Sequence, residues 1–165
     1  MFGFRMMMSI KERDCMVEDK ASTDKYESIR LGNQLCFPLY ACSKEVIRQY
    51  RKPLEEFDLT YTQYLVMMVL WEFGGMTEGE LGRRIHLDSG TLAPLLKRLE
   101  KQGYINRERP DNNERKLYIS LTDTGKSLEE DALKIPQAMN GCIKLNDDEL
   151  VILKGLLDKA LDHMG

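Results

Sequence analysis

Several things are scarce in this chain, and each scarcity narrows the reading. No apolar run reaches the roughly 20 residues a helix needs to cross a bilayer, so a membrane span is not expected. The two histidines, His86 and His163, are isolated, and Cys15, Cys36, Cys42 and Cys142 show no paired ligand spacing. A zinc site is therefore not expected, nor is any cofactor. No internal repeat is visible. The apolar stretch within Met1–Ile10 is short, Lys11-Glu-Arg-Asp14 follows it, and no small-residue cleavage site appears. The expectation is no signal peptide and a cytoplasmic protein. In a reducing cytosol the cysteines default to free thiols. A strongly basic balance is missing too: the net charge is −3, which taken alone argues against a nucleic-acid partner. The average hides an asymmetry. Residues 83–116 hold nine Lys and Arg against five Asp and Glu, a local +4 that leaves −7 for the remainder. A basic patch on an acidic body suits a DNA reader that meets phosphates with one face.

What is present is a 165-residue chain, 42% apolar and 31% charged, enough for one domain with a core. Residues 1–25 are polar, lack periodicity and are expected to form a flexible tail. From about Lys25 to Phe57, apolar residues recur at helical spacing: Leu31, Leu35, Leu39, Cys42, Val46, Tyr50, Leu54 and Phe57. The pattern predicts a long helix, or two pieces of one. Pro38 either kinks it or sits in its first turn. The second arrangement puts Cys36 near a helix N-terminus, where a thiolate is favoured.

Thr60-Tyr-Thr-Gln63 is a capping box that opens an almost wholly apolar helix through Phe73, ended by Gly74-Gly75. Thr77-Glu-Gly-Glu80 is a second, opening a short helix to about Leu87. Asp88-Ser-Gly supplies a turn, and Ser89–Gly103 reads as the next helix, with Leu92, Leu95, Leu96 and Leu99 inward. Two short helices joined by a tight polar turn predict a helix-turn-helix. The outer face of the second carries Ser89, Thr91, Ala93, Pro94, Lys97, Arg98 and Lys101, small and hydroxyl residues leading and basic ones trailing. That order suits insertion of the N-terminal end into a major groove.

Two alternating stretches, 104–109 and 115–121, flank the turn cluster Pro110-Asp-Asn-Asn113 and predict a β-hairpin. A hairpin directly after a helix-turn-helix is a wing. Arg109, Arg115 and Lys116 are placed to reach phosphates or a minor groove. Thr122-Asp-Thr-Gly-Lys126 caps a helix expected to run to about Asn140, with Pro136 breaking its later part. Asn146-Asp-Asp-Glu149 caps the last helix, striped with Leu150, Leu153, Leu157, Ala160 and Leu161. The fold class is thus mainly α with a small β-wing, a winged helix-turn-helix lobe over 58–126. Dimerisation helices are expected at 26–57 and 127–165. First and last helices that both need a partner imply a homodimer.

This order of elements resembles the MarR family of winged-helix repressors. The stretches Asn33-Gln-Leu-Cys-Phe37, Leu39-Tyr40, Thr60-Tyr61 with Gln63-Tyr-Leu65, the block Leu87–Arg98, and Ile119-Ser-Leu-Thr122 closely resemble its organic-hydroperoxide-sensing branch. The resemblance covers about residues 30–161. It implies a repressor released from operator DNA when its sensor thiol is oxidised. Cys36 falls on the sensor position. Tyr50 and Tyr61 fall on two tyrosines that hydrogen-bond the sensor thiol from the facing subunit. Cys142 falls where one group of relatives carries a second cysteine, which forms an intersubunit disulfide with the oxidised sensor. The chain departs from the pattern at Pro38, in carrying Cys42 and Cys15, and at Asn113, where an Asp usually precedes the wing arginine Arg115 by two residues. Cys42 is expected to be packing, and Cys15 a tail thiol.

One geometric point stands apart from the family. Cys36 and Tyr50 are 14 residues apart and share a helix face, yet lie about 21 Å apart along a straight helix. They cannot touch within one straight helix, but can meet if two copies cross antiparallel about a two-fold axis. Two other functions compete: a repressor induced by a small aromatic ligand, and a thiol peroxidase. The second has no use for a helix-turn-helix and a basic wing, so the chain is not expected to be an enzyme.

Overall fold

The apolar pattern of the N-terminal third does not form one helix. In the computed structural model, which describes residues 25–109 and 116–164, two 3-10 turns come first, Glu27–Ile29 and Leu31–Asn33. Helix α1 begins only at Cys36 and ends at Glu55. The reason lies in Pro38. Its ring opposes the carbonyl four residues back, that of Gln34, so Gln34 is left outside the helix and Pro38 is accepted in the first turn. Lys25 apart, the expected tail lies outside the described residues, as do Cys15, Asn113 and Arg115. Two units cluster separately, residues 1–42 and 43–165.

Within the second unit, the elements that follow are α2 (Tyr61–Phe73), β1 (Met76–Thr77), α3 (Glu78–Arg84), α4 (Ser89–Lys101), β2 (Ile105–Glu108), β3 (Tyr118–Leu121), α5 (Asp123–Ala132), α6 (Lys134–Ala138) and α7 (Asp147–Asp162). The capping boxes form as the sequence predicts. Thr60, Thr77 and Asn146 each accept from the backbone N–H three residues on, and Gln63, Glu80 and Glu149 return a bond to the cap N–H. Asp88 and Thr122 cap α4 and α5 through their side chains.

Two expectations hold and gain detail here. The hairpin is part of a three-stranded antiparallel sheet, ordered β1-β3-β2. Met76 pairs with Ile119 and Thr77 with Tyr118, while Ile105 to Glu108 pair with Leu121 to Tyr118. Two residues are too few to show alternation, so β1 leaves no periodic trace. The expected helix from Thr122 to Asn140 is also split, between Ala132 and Lys134. Pro136 opposes the carbonyl of Ala132, the last residue of α5, and then sits in the first turn of α6.

The core belongs to the second unit. Val66, Met67 and Leu70 of α2 pack with Leu81 of α3, Leu92, Leu96 and Leu99 of α4, Ile105 and Ile119 of the sheet, and Leu128 of α5. An α2 that is apolar nearly all round can be surrounded in this way. Gly125 shows how tightly α5 enters: an added Cβ would stand 2.0 Å from the Tyr104 carbonyl oxygen. Gly125→Ala is expected to lower unfolding free energy by about 1–3 kcal/mol or more, because backbone rather than a movable side chain blocks the methyl. Urea denaturation checks this, and an unchanged midpoint would contradict the packing described.

Candidate functional site

The helix-turn-helix is formed by α3 and α4. His86, between them, takes φ +53°, and Gly82 approaches so closely that a Cβ would lie 2.7 Å from the Leu87 carbonyl oxygen. The turn is therefore fixed by backbone contact as well as by the core leucines. On α4, Ser89, Thr91, Pro94, Lys97 and Arg98 are exposed and Ala93 is half-buried. Asp88 Oδ1 accepts from the Thr91 N–H at 2.9 Å, and Oδ2 accepts from its hydroxyl at 2.9 Å. Those bonds hold the Asp88 carboxyl below its usual range. They also direct the Thr91 hydroxyl proton inward, leaving its lone pairs to accept from outside. Pro94 has no N–H to offer the Gly90 carbonyl, so that carbonyl too is left as an acceptor. The exposed end of α4 thus offers acceptors and small side chains, with cations behind them.

The wing contributes Arg109 and Lys116, both exposed. Arg107 is different: its guanidinium bonds Glu100 at 3.1 Å and its side chain is only 16% exposed. It braces β2 against α4. Arg98, expected on the outer, DNA-facing side of α4, is exposed there and also engaged by Asp58 at 3.0 Å.

The thiol-bearing elements are as follows. In the first unit, Cys36 is the first residue of α1 and is exposed; Cys42 is exposed as well, which corrects its expected packing role. In the second unit, Tyr50 and Tyr61 meet as tilted rings with centroids 4.8 Å apart, and Tyr64 joins them at 6.1 Å from Tyr50. Burial pushes the Tyr50 phenol upward first, and the neighbouring Tyr61, Tyr64 and Cys142 add to it; burial also raises Tyr61 and Tyr64. The cluster is therefore a set of neutral hydroxyl donors at ordinary pH. Cys142 is half-buried after the Gly141 turn (φ +75°). Its N–H donates to the Met139 carbonyl at 3.0 Å, and its carbonyl accepts from Gln49 Nε2 at 3.4 Å. Gln49 thus ties the Cys142 segment to the turn of α1 that carries Tyr50, which in turn meets Tyr61.

Sequence reasoning missed two features. Tyr64 belongs with the tyrosines, and its i,i+3 spacing from Tyr61 was a signal. The other is the α1–α2 corner. There Leu59 N–H bonds the Leu54 carbonyl and Asp58 N–H bonds the Glu55 carbonyl, a Schellman ending with Asp58 at φ +49°. Glycine is usual at that position, and a side chain there costs roughly 1–2 kcal/mol. Nothing in the local pattern announces it.

Residues 48–132 match the family described as "Transcriptional regulator SarA/Rot". Over 141 residues the chain is 43% identical to the organic hydroperoxide resistance transcriptional regulator of Bacillus subtilis (strain 168), covering 86% of this chain and 96% of that protein. The chain belongs to the SarA/Rot family of transcriptional regulators.

Among solved structures, this regulator is similar to AbfR of Staphylococcus epidermidis. Reduced AbfR bound to DNA matches with TM-score 0.70 at 41% identity, over 85% of this chain and 98% of that one. The disulfide-formed AbfR matches with TM-score 0.58 at 39% identity, over 87% and 97%. Both the mainly helical class and the winged helix-turn-helix expected from sequence hold for this regulator. Among the described residues, no helix is long and apolar enough to cross a membrane.

Proposed function

We propose that this regulator is a cytoplasmic repressor, not an enzyme, that binds operator DNA as a homodimer and is released when organic hydroperoxide oxidises Cys36. The observation that carries the reading is the grouping of Cys142 with Tyr50 and Tyr61. A thiol arriving there from a second subunit would meet hydroxyl donors and a resolving thiol together. Cys36 is exposed at the start of α1 and free to be that thiol. The Bacillus relative named for organic hydroperoxide resistance, and the DNA-bound and disulfide forms of AbfR, support the same chemistry.

The steps balance. The Cys36 thiolate attacks the terminal peroxide oxygen, the O–O bond breaks, and the leaving alkoxide takes a proton to become an alcohol. Cys36 is then a sulfenic acid. The Cys142 thiol of the second subunit attacks that sulfur, a disulfide forms, and water leaves. Two phenols hydrogen-bonding the sulfur would favour the anion that starts the sequence. Exposed apolar side chains beside Cys36, namely Leu35, Phe37 and Leu39, suit an organic peroxide better than hydrogen peroxide.

DNA is met by Ser89, Thr91, Ala93 and Pro94 in the major groove and by Lys97 at the backbone. Arg109 and Lys116 serve the wing, with Arg115 assigned by its place in the hairpin sequence. A mobility shift on the DNA upstream of its own gene tests the whole reading. The shifted band is expected without peroxide and is expected to disappear with cumene hydroperoxide. A band that persists through oxidation would remove the sensing role.

A second reading draws on a cleft of about 730 Å³ lined by Ile47, Arg51, Lys52, Tyr61 and Arg98. Glu55 and Asp58 also line it and offset the cations, while its apolar side chains and aromatic ring would suit a small aromatic ligand as inducer. Release by such a ligand with Cys36 replaced would favour it.

A further inference from the structure

The α1–α2 corner holds the reading helix by a chain of polar contacts that neither the core nor the DNA-facing residues explain. Asp58 Oδ1 accepts from Arg98 Nη2 at 3.0 Å, and Asp58 Oδ2 accepts from Gln102 Nε2 at 3.0 Å. The same Gln102 nitrogen donates to the Asp58 carbonyl at 2.6 Å. Gln102 Oε1 accepts from Gln63 Nε2 at 3.5 Å. Gln63 is fully buried and closes the capping box of α2 through Thr60. Tyr104, just past α4, donates its hydroxyl to the Phe57 carbonyl at 3.2 Å. The corner therefore grips the last turns of α4 at Arg98, at Gln102 and just beyond. It also joins the helix that carries Tyr50 to the helix that Tyr61 opens.

Asp58 makes this grip in a left-handed conformation that disfavours any side chain. Glycine would end α1 with less strain but would have no carboxylate to give. Backbone strain held where a side chain works is a pointer to function rather than to stability. The exposed ion pair points the same way. The Arg98 and Asp58 side chains are 52% and 75% exposed, and pairs so wet contribute little to folding.

We infer that Asp58 is a positioning residue for DNA recognition, clamping Arg98 and Gln102 so that α4 is held at one angle to the α1–α2 corner. Arg98 then acts through Asp58 and does not contact phosphate. This rests on the DNA-binding reading given above. It adds a point at which a shift of α1 against α2 reaches the reading helix.

The test uses the full chain and a labelled duplex of the DNA upstream of its own gene. Affinity is measured across a salt series for the parent, Asp58→Gly, Arg98→Gln and the double variant, with a thermal melt of each. Asp58→Gly is expected to melt at or above the parent's Tm, because the strain is relieved, yet to bind about fivefold more weakly. Arg98→Gln is expected to weaken binding similarly with an unchanged slope of log affinity on log salt. The double variant is expected to be no weaker than either single one, since one contact is removed twice.

Three results would overturn the clamp. One is Asp58→Gly binding as tightly as the parent or more tightly, the outcome simple removal of a negative charge predicts. Another is a salt slope shallower by about one in Arg98→Gln, the mark of a lost phosphate contact. The third is an affinity loss accounted for by a lowered Tm. A parent chain that binds no better than to unrelated DNA would instead overturn the reading on which the clamp rests.

Discussion

A chain carrying Cys36→Ser is expected to hold operator DNA as tightly as the parent and no longer to be released by organic hydroperoxide. The first half follows from place. Cys36 is exposed, is absent from the core and opens α1, where serine is well accepted. An exposed substitution of this kind is expected to change stability by no more than about 0.5 kcal/mol. The second half follows from chemistry: an alcohol does not reduce a peroxide, so no sulfenic acid forms and nothing remains for Cys142 to attack. Cys142→Ser gives a different signature. The oxidised chain should then run as a monomer on a non-reducing gel while its Cys36 still reacts with a sulfenic-acid probe. Peroxide release that survives Cys36→Ser would end the sensor assignment. A disulfide band that survives Cys142→Ser would move the resolving role to another thiol, with exposed Cys42 the first to examine.

Ile152→Glu together with Leu156→Glu is expected to yield a folded monomer with little hold on the operator. Helix α7 has no buried residue within its own chain. Val151, Ile152 and Leu156 are 72%, 62% and 62% exposed, and Leu157 and Leu161 are exposed beside them. Each such side chain gains roughly 1.5–3 kcal/mol when fully covered, so the face is a strong drive to associate. Residues 152 and 156 share a face, and carboxylates there would have to be stripped of water unpaired. No core residue is altered, so the lobe of α2 to α5 should melt as before. Losing the second copy removes one of two half-site contacts, which lowers operator affinity by a factor on the order of 10² to 10⁴. Light scattering gives the mass and fluorescence anisotropy the affinity. A dimer that persists in the double variant would place the interface elsewhere.

How much was legible beforehand varied with the physics involved. The helices announced by capping boxes were readable because a cap is a local exchange of bonds among four residues, and Thr60, Thr77 and Asn146 carry both halves of it. The inward leucines of α4 were readable because their spacing records the face they bury; Leu92, Leu96 and Leu99 are all sealed in the core. The start of α1 was not readable from periodicity, since residues before Gln34 keep the helical rhythm without the helix. There the proline decides, and it acts backwards along the chain. Strand β1 and the Asp58 clamp were invisible for a shared reason: both depend on partners more than 30 residues away, Ile119 and Arg98, and carry no mark in their own neighbourhood. The Tyr50–Tyr61 pairing came from resemblance and not from spacing. A geometric reading placed Cys36 and Tyr50 on one face but could not bring Tyr61 to either.

Trp71 is the one tryptophan of this regulator. Its indole N–H donates to the Gly125 carbonyl at 2.8 Å, and its ring meets Tyr64 edge-on at 6.2 Å. Tyr64 in turn neighbours Tyr50, whose ring meets Tyr61 at a tilt. Excitation absorbed by the phenols therefore has a short route to a single emitter seated between α2 and α5. Changes at the tyrosine cluster should be readable as changes in indole emission, without any label. The protein carries its own optical probe of the place where redox chemistry is proposed to begin.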